Sequence, residues 1–183
     1  MSLANTRVAY GWIAIALHWI SAIGVAVMYF LGERMEDAPD RAAKIVAQGD
    51  HVSVGVLLFT FLLARLLWSV SQPHPVSIER NRWFRIAARI VQGLFLLMIA
   101  VLIVTGPLSV WSAARPIVVF DLFSLASPFA TRLDWLHELA EELHGAATKM
   151  FWPLVVLHVG GALKHLAVDR DGTVQRMLWV RHP

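Results

Sequence analysis

The chain has no cysteine among its 183 residues. That absence excludes disulfides, thiolate-held zinc, iron–sulfur clusters and haem attached through thioether links. Any metal or macrocycle must rest on histidine, methionine or carboxylate. Charge is scarce as well: Asp, Glu, Lys and Arg make up 16% of the residues, against about 25% in soluble domains. Hydrophobic residues make up 57%, and the mean hydropathy is +0.60. Such a chain reads as an integral membrane protein. The formal charge is only +3, and no nucleic-acid partner is expected. With no internal repeat and no low-complexity tract, residues 1–183 read as one domain.

Four apolar segments are long enough to cross a hydrocarbon layer of about 30 Å. They run over residues 10–31, 47–70, 83–106 and 143–168. The first exceeds the 7 to 15 apolar residues of a cleaved leader and is read as retained. The expected fold is therefore all-α, an integral membrane four-helix bundle with membrane lipid around it.

Arginine placement suggests an orientation. The connection after the second span carries Arg80, Arg82, Arg85 and Arg89 against Glu79, and the tail adds Arg170, Arg176 and Arg181. The other two connections hold Glu33, Glu36, Asp37, Asp40 and Asp50, then Asp121, Asp134, Glu138, Glu141 and Glu142. Both termini are expected on the cytoplasmic side of a bacterial inner membrane, crossed several times. Trp12, Trp68, Trp83, Trp135 and Trp179 fall near span ends, as an aromatic belt would.

The unusual residues inside the spans are histidines, which are rare in a bilayer and mark ligands or ion and proton routes there. His144 and His158 bound the stretch "HGAATKMFWPLVVLH". Fourteen helical residues end about 40° short of four full turns and rise about 21 Å, so the two share a face at two depths. His18 matches His158 in depth towards the cytoplasmic ends, and His51 matches His144 towards the outer ends. Cross-pairing would require ligands from opposite sides of the membrane to meet.

Two imidazoles facing one another without a carboxylate suit the axial positions of a haem iron. Two such haems would stack between the helices of the bundle. A histidine-based zinc or copper transporter is the alternative, although such sites usually recruit acids or methionine near the midplane.

Arg65, fourteen residues after His51, reaches the depth of the opposite pair. There a haem propionate offers it a bidentate anionic partner; snorkelling to the interface is the other reading. His165, seven residues after His158, could donate to a quinone carbonyl or a propionate, or stand solvated at the interface. His137, seven residues before His144, is a rival ligand in the acidic stretch "DWLHELAEEL", expected at the interface. His74 and His182 read as surface residues, and Met28, Met98, Met150 and Met177 as packing fillers. Gly55, Gly93, Gly145, Gly160 and Gly161 admit a flat macrocycle or a close neighbouring helix. Pro153 should bend the fourth span. The third span, with neither acid nor histidine, reads as a packing helix.

The stretches "ALHWISA", "HVSVGVLLFTFLLARLLW" and "LHGAATKMFWPLVVLHVGGALKHLAVDRDGTVQRML" resemble the bacterial cytochrome b561 family. That family is related to the membrane cytochrome b subunits of hydrogenases and formate dehydrogenases. The resemblance implies two b-type haems ligated by His18, His51, His144 and His158, and electron exchange with quinone. Similar free-standing members oxidise superoxide at the outer face and reduce ubiquinone, so superoxide or a periplasmic electron donor is the implied partner. Lys149, Arg115 and Arg132 are the cations that could attract superoxide on an otherwise acidic face. An electron-transfer subunit docked to a dehydrogenase or hydrogenase is the alternative. The chain departs from the family pattern in lacking charge over residues 12–17 and in having Leu166 after His165 rather than a second histidine.

Overall fold

The computed structural model describes residues 2–178. Trp179, Arg181 and His182, assigned above to the belt, the basic tail and the surface, lie outside the described residues. Four long helices form the molecule: α1 (Trp12–Glu36), α2 (Arg41–Ser71), α3 (Arg82–Ser112) and α4 (Asp134–Leu163). Their starts are set locally. The Asp40 carboxylate accepts the Ala43 amide at 2.8 Å at the head of α2, and the Asn81 side-chain oxygen accepts the Trp83 amide at 2.9 Å at the head of α3, as capping residues do. Pro73 lies just beyond the end of α2, where a proline cannot continue a helix.

All four helices are long and apolar enough to span a bilayer, and they outrun the expected segments. α2 starts at Arg41 rather than near 47, α4 at Asp134 rather than near 143, and α3 continues through Pro107 to Ser112 rather than stopping at 106. Pro107 removes one hydrogen bond from α3, but the extension beyond it is held from outside. The Ser112 carbonyl accepts the Leu133 amide at 2.8 Å, and Ser127 Oγ donates to the Trp111 carbonyl at 2.8 Å. Past Leu163, α4 widens into a π-helical turn, Lys164–Asp169, ending at Arg170 in the left-handed region (φ 49°). Insertions of this kind cluster at functional sites.

A small antiparallel hairpin, β1 (Ile117–Val119) with β2 (Phe123–Leu125), joins α3 to α4, Val118 opposite Ser124. Its turn runs through Phe120 and Asp121 at φ 47° and 57°. Ile117 and Val119 are buried, and the Phe120 amide donates to Ser53 Oγ of α2 at 2.9 Å. The hairpin thus packs against α2 and α3 at the end of the bundle where α2 starts and α3 finishes.

Within the bundle, α1 packs along α2 and α3 along α4, with a lighter α2–α3 contact. The centre of the packing is Leu58, Leu62 and Ile99, flanked by Val25, Met28, Leu66, Ile103 and Phe151. Gly24 permits a close approach of α1 to α2: a Cβ there would overlap Leu58 Cδ1 and stand 2.9 Å from Cδ2. Large apolar side chains cover the outside, Ile23, Phe30, Val104 and Val156 among them, which suits lipid rather than water. At the opposite end from the hairpin, the N-terminal stretch, the α2–α3 connection and the tail meet. The Val76 amide donates to the Arg7 carbonyl at 2.8 Å, Arg176 to the Val76 carbonyl at 2.9 Å, and the Trp19 indole to the Met177 carbonyl at 2.7 Å.

Candidate functional site

α4 makes no extended backbone packing against α1 or α2 among the described residues, and histidines stand across both separations. The rings of His18 (α1) and His158 (α4) have centroids 6.1 Å apart at an interplanar angle of 61°. Those of His51 (α2) and His144 (α4) are 6.3 Å apart at 72°. His51 and His144 each stand ten residues past the first residue of their helices. They are therefore deeper in their helices than the shorter expected spans implied.

The histidine surroundings differ between the pairs. Thr105 Oγ1 donates to the Val101 carbonyl at 2.7 Å and lies 3.0 Å from His144 Nδ1. Its one proton is used, so His144 Nδ1 is the donor in that contact and the lone pair remains on Nε2. Gly106 and Gly32 back the two rings: a Cβ at Gly106 would stand 3.5 Å from His144 Cε1, and one at Gly32 3.8 Å from His51 Cε1. His51 Nδ1 is buried without a hydrogen bond, with only a loose approach from the Met28 carbonyl. At the other pair, Arg65 Nη2 lies 3.3 Å from His18 Nδ1, and Arg65 Nε is buried without a partner. Phe95 rests edge-on to His158 at 5.5 Å.

The rings are spaced as axial ligands of one iron are. Two metal–imidazole bonds of about 2 Å, plus about 1.1 Å from each nitrogen to its ring centre, place the centroids about 6 Å apart. The lone pair on His144 Nε2 is a donor suited to a metal, while His51 Nδ1 lies on the α1 side of its ring, beside Gly32. A bare zinc or copper ion asks for three or four ligands. Among the described residues, the one group of three or more histidine or carboxylate side chains close enough for that is Glu79, His165 and Asp169, which includes none of the four paired histidines.

His165 sits in that group. Its Nδ1 faces Asp171 at 2.8 Å and Asp169 at 3.2 Å, and its Nε2 faces Glu79 at 4.0 Å. Lys164 bridges Glu79, at 3.0 Å, and Asp169. The Asn81 amide, then the Lys164 ammonium, hold the Glu79 carboxyl below its ordinary range. Partial burial pushes Asp171 up, but bonds from Thr173 and His165 outweigh it and leave that carboxyl below its ordinary range. This network ties the end of α4 to the α2–α3 connection; the ring is engaged by carboxylates rather than standing solvated.

His137 is buried within the protein. Its Nδ1 lies 2.8 Å from the Ser109 carbonyl and its Nε2 3.4 Å from Glu141, so both nitrogens are engaged and His144 is the residue facing His51. The extension of α3 past Pro107 supplies Ser109, which is why the burial was hidden. His74 is exposed, as expected. Gly55 meets Met28 at 3.3 Å, whereas Gly93, Gly145, Gly160 and Gly161 have nothing within 4 Å of a would-be Cβ, so close helix packing does not explain these four. Thr105 went unnoticed in the sequence; its signal was a lone hydroxyl in the apolar run "MIAVLIVTGPL".

Comparison with known proteins bears on these features. The family described as "Prokaryotic cytochrome b561" matches residues 9–179. The chain is 33% identical over 192 aligned residues to cytochrome b561 homolog 2 of Escherichia coli (strain K12), covering 97% of this chain and 95% of that protein. It is 25% identical over 174 residues to cytochrome b561 homolog 1 of the same organism, covering 90% and 93%. The family implies b-type haem as the group for which the donors above are suited, carried by a multi-pass membrane protein of four spans. This chain belongs to the prokaryotic cytochrome b561 family.

Proposed function

We propose that the protein carries electrons across the inner membrane between a donor at its outer face and the quinone pool, using two b-type haems. His18 with His158 would hold the inner haem and His51 with His144 the outer one. A bis-histidine haem has no open coordination position and supplies a reversible one-electron store. The observation that carries the reading is the repetition of one ring separation, 6.1 and 6.3 Å, in two unrelated pairs of positions. The arginine-rich end would face the cytoplasm. Arg65 is suited to a propionate of the inner haem, since no carboxylate pairs with it among the described residues. Glu79, His165 and Asp171 would relay protons to a quinone reduced at that end, because an imidazole with a carboxylate at each nitrogen can take a proton on one side and release it on the other.

In its sharper form the proposal names superoxide as donor and ubiquinone as acceptor. Two superoxide ions each give up one electron and become dioxygen; the two electrons, with two protons, convert ubiquinone to ubiquinol. Arg115 favours this form. It is exposed, has no ion pair among the described residues, and with Gly49 and Val52, close neighbours of His51, lines a cavity of about 150 Å³. A cation there raises the local concentration of a small anion. Arg132, by contrast, is paired to Asp134 at 2.6 Å. Stopped-flow reduction of the purified protein by superoxide should outpace that of free haem and slow on Arg115→Glu; a rate no faster than free haem would end this form.

A second reading, an electron-transfer subunit for a dehydrogenase, hydrogenase or periplasmic cytochrome, is favoured by Glu36, Asp37 and Asp40. These are exposed together on the α1–α2 connection and suit a basic docking face. Gentle affinity purification from native membranes distinguishes the readings: a stoichiometric redox partner supports the second, and a free chain the first.

A further inference from the structure

We infer that Thr105 and Arg65 set the two haem sites at different potentials, with the electron favoured at the His18–His158 pair. The inference rests on the di-haem reading above.

His144 and His18 have opposite kinds of side chain at Nδ1. His144 Nδ1 meets a hydroxyl oxygen whose own proton is committed to the Val101 carbonyl, so the ring donates its N–H and gains basicity. A more basic axial ligand stabilises the oxidised, more positive iron. His18 Nδ1 lies 3.3 Å from the Arg65 guanidinium, which has donors, no lone pair and a permanent charge. A ring that binds iron through Nε2 and carries its proton on Nδ1 gains no hydrogen bond there and meets only the charge. No acceptor raises the basicity of His18. The positive charge, desolvated and without a carboxylate partner among the described residues, stabilises the reduced, less positive iron. A propionate drawn to Arg65 would not cancel the contrast, because the cations near the other pair, Arg34, Arg115 and Lys149, are all exposed. His51 Nδ1 has only the loose approach of the Met28 carbonyl, an acceptor that acts in the same sense as Thr105. Both effects therefore move an electron from the Thr105 site to the Arg65 site, which is the direction of outer donor to inner quinone.

Spectroelectrochemical titration of the purified, haem-loaded protein tests this. Two one-electron waves are expected, separated by at least a tenfold bias in electron occupancy, about 59 mV. His51→Ala should abolish the lower wave and keep the higher; His18→Ala should do the reverse. Thr105→Val, which keeps the shape and removes the acceptor, should raise the lower wave alone, Thr105→Ser should leave it in place, and Arg65→Gln should lower the higher wave alone. The inference is overturned if His51→Ala removes the higher wave, or if Thr105→Val and Arg65→Gln each move neither wave by a threefold change in occupancy. Should Thr105→Val fail to fold, the order of loss in the two histidine variants still decides. Haem content measured on the same unmodified sample separates the two failures: fewer than two haems per chain defeats the di-haem reading, and two haems with the reverse order of potentials defeats only this one.

Discussion

Adding one methyl group at Gly24 should weaken the α1–α2 contact, and removing Leu58 should repair it. A Cβ at position 24 would overlap Leu58 Cδ1 and stand 2.9 Å from Cδ2 and 3.2 Å from Cγ. Contacts that close demand that Leu58 change rotamer or that the helices separate. Leu58 cannot move freely, because it is buried against Leu62 and Ile99 with Val25, Met28 and Phe151 around them. Overpacking of this kind costs about 1–3 kcal/mol. Leu58→Ala alone should cost about 2 kcal/mol, near the low end for such truncations. Lipid tails are as apolar as the lost side chain, which leaves mainly the packing loss. In the double variant the new methyl fills part of the space that Leu58 vacates. Its destabilisation should then fall short of the sum of the single changes by at least about 1 kcal/mol, the size of coupling expected for contacting residues. Unfolding by a denaturing detergent, titrated against a mild one and followed by tryptophan fluorescence, measures all three. Additive losses would refute the close-approach account of Gly24.

Other consequences can be checked in the same preparations. Glu79 and Asp171 are held below their ordinary values of 4.5 and 3.8, so the network they form is fully stabilising above those values and is lost as pH falls through the lower folded ones. Thermal stability should drop below about pH 4, and Glu79→Gln should make the melt both lower at neutral pH and flatter with acid; an unchanged acid profile would contradict this. Asp40→Ala removes the cap of α2 and should cost about 1 kcal/mol, with Asp40→Asn near neutral in the same unfolding assay. Ser109 offers its backbone carbonyl to His137, so His137→Ala should destabilise the bundle yet leave haem content intact, whereas equal haem loss in His137→Ala and His144→Ala would reverse their assigned roles.

Much of the architecture was legible because a bilayer simplifies the reading: backbone polar groups must be satisfied within each span, so apolar length maps directly onto helices. The histidine pairs were legible for a related reason, since the helical rise turns sequence position into depth. What stayed hidden came from contacts made outside the apolar segments. The third span is expected to stop at 106, and the carbonyl and hydroxyl bonds made by Trp111, Ser112 and Ser127 hold the continuation of α3 past Pro107. The acidic stretch before His144 reads as a surface helix, yet it is the first part of α4 and carries His137 into the interior. The hairpin over Ile117–Leu125 is short, and its turn places Phe120, a residue unlike common turn formers, in the left-handed region beside Asp121. Arg65 was placed at the right depth by its spacing from His51, but its contact with His18 required the packing of α1 on α2.

The claim at the centre of this account is that four histidines hold two haems in two pairs. A reduced-minus-oxidised spectrum with a pyridine haem assay on each single alanine variant addresses it most directly. Two haems per chain in the unmodified protein are expected. One of them should be lost in both His18→Ala and His158→Ala, and the other in both His51→Ala and His144→Ala. Loss of the same haem in His18→Ala and His144→Ala, or full haem content in any of the four, would contradict it.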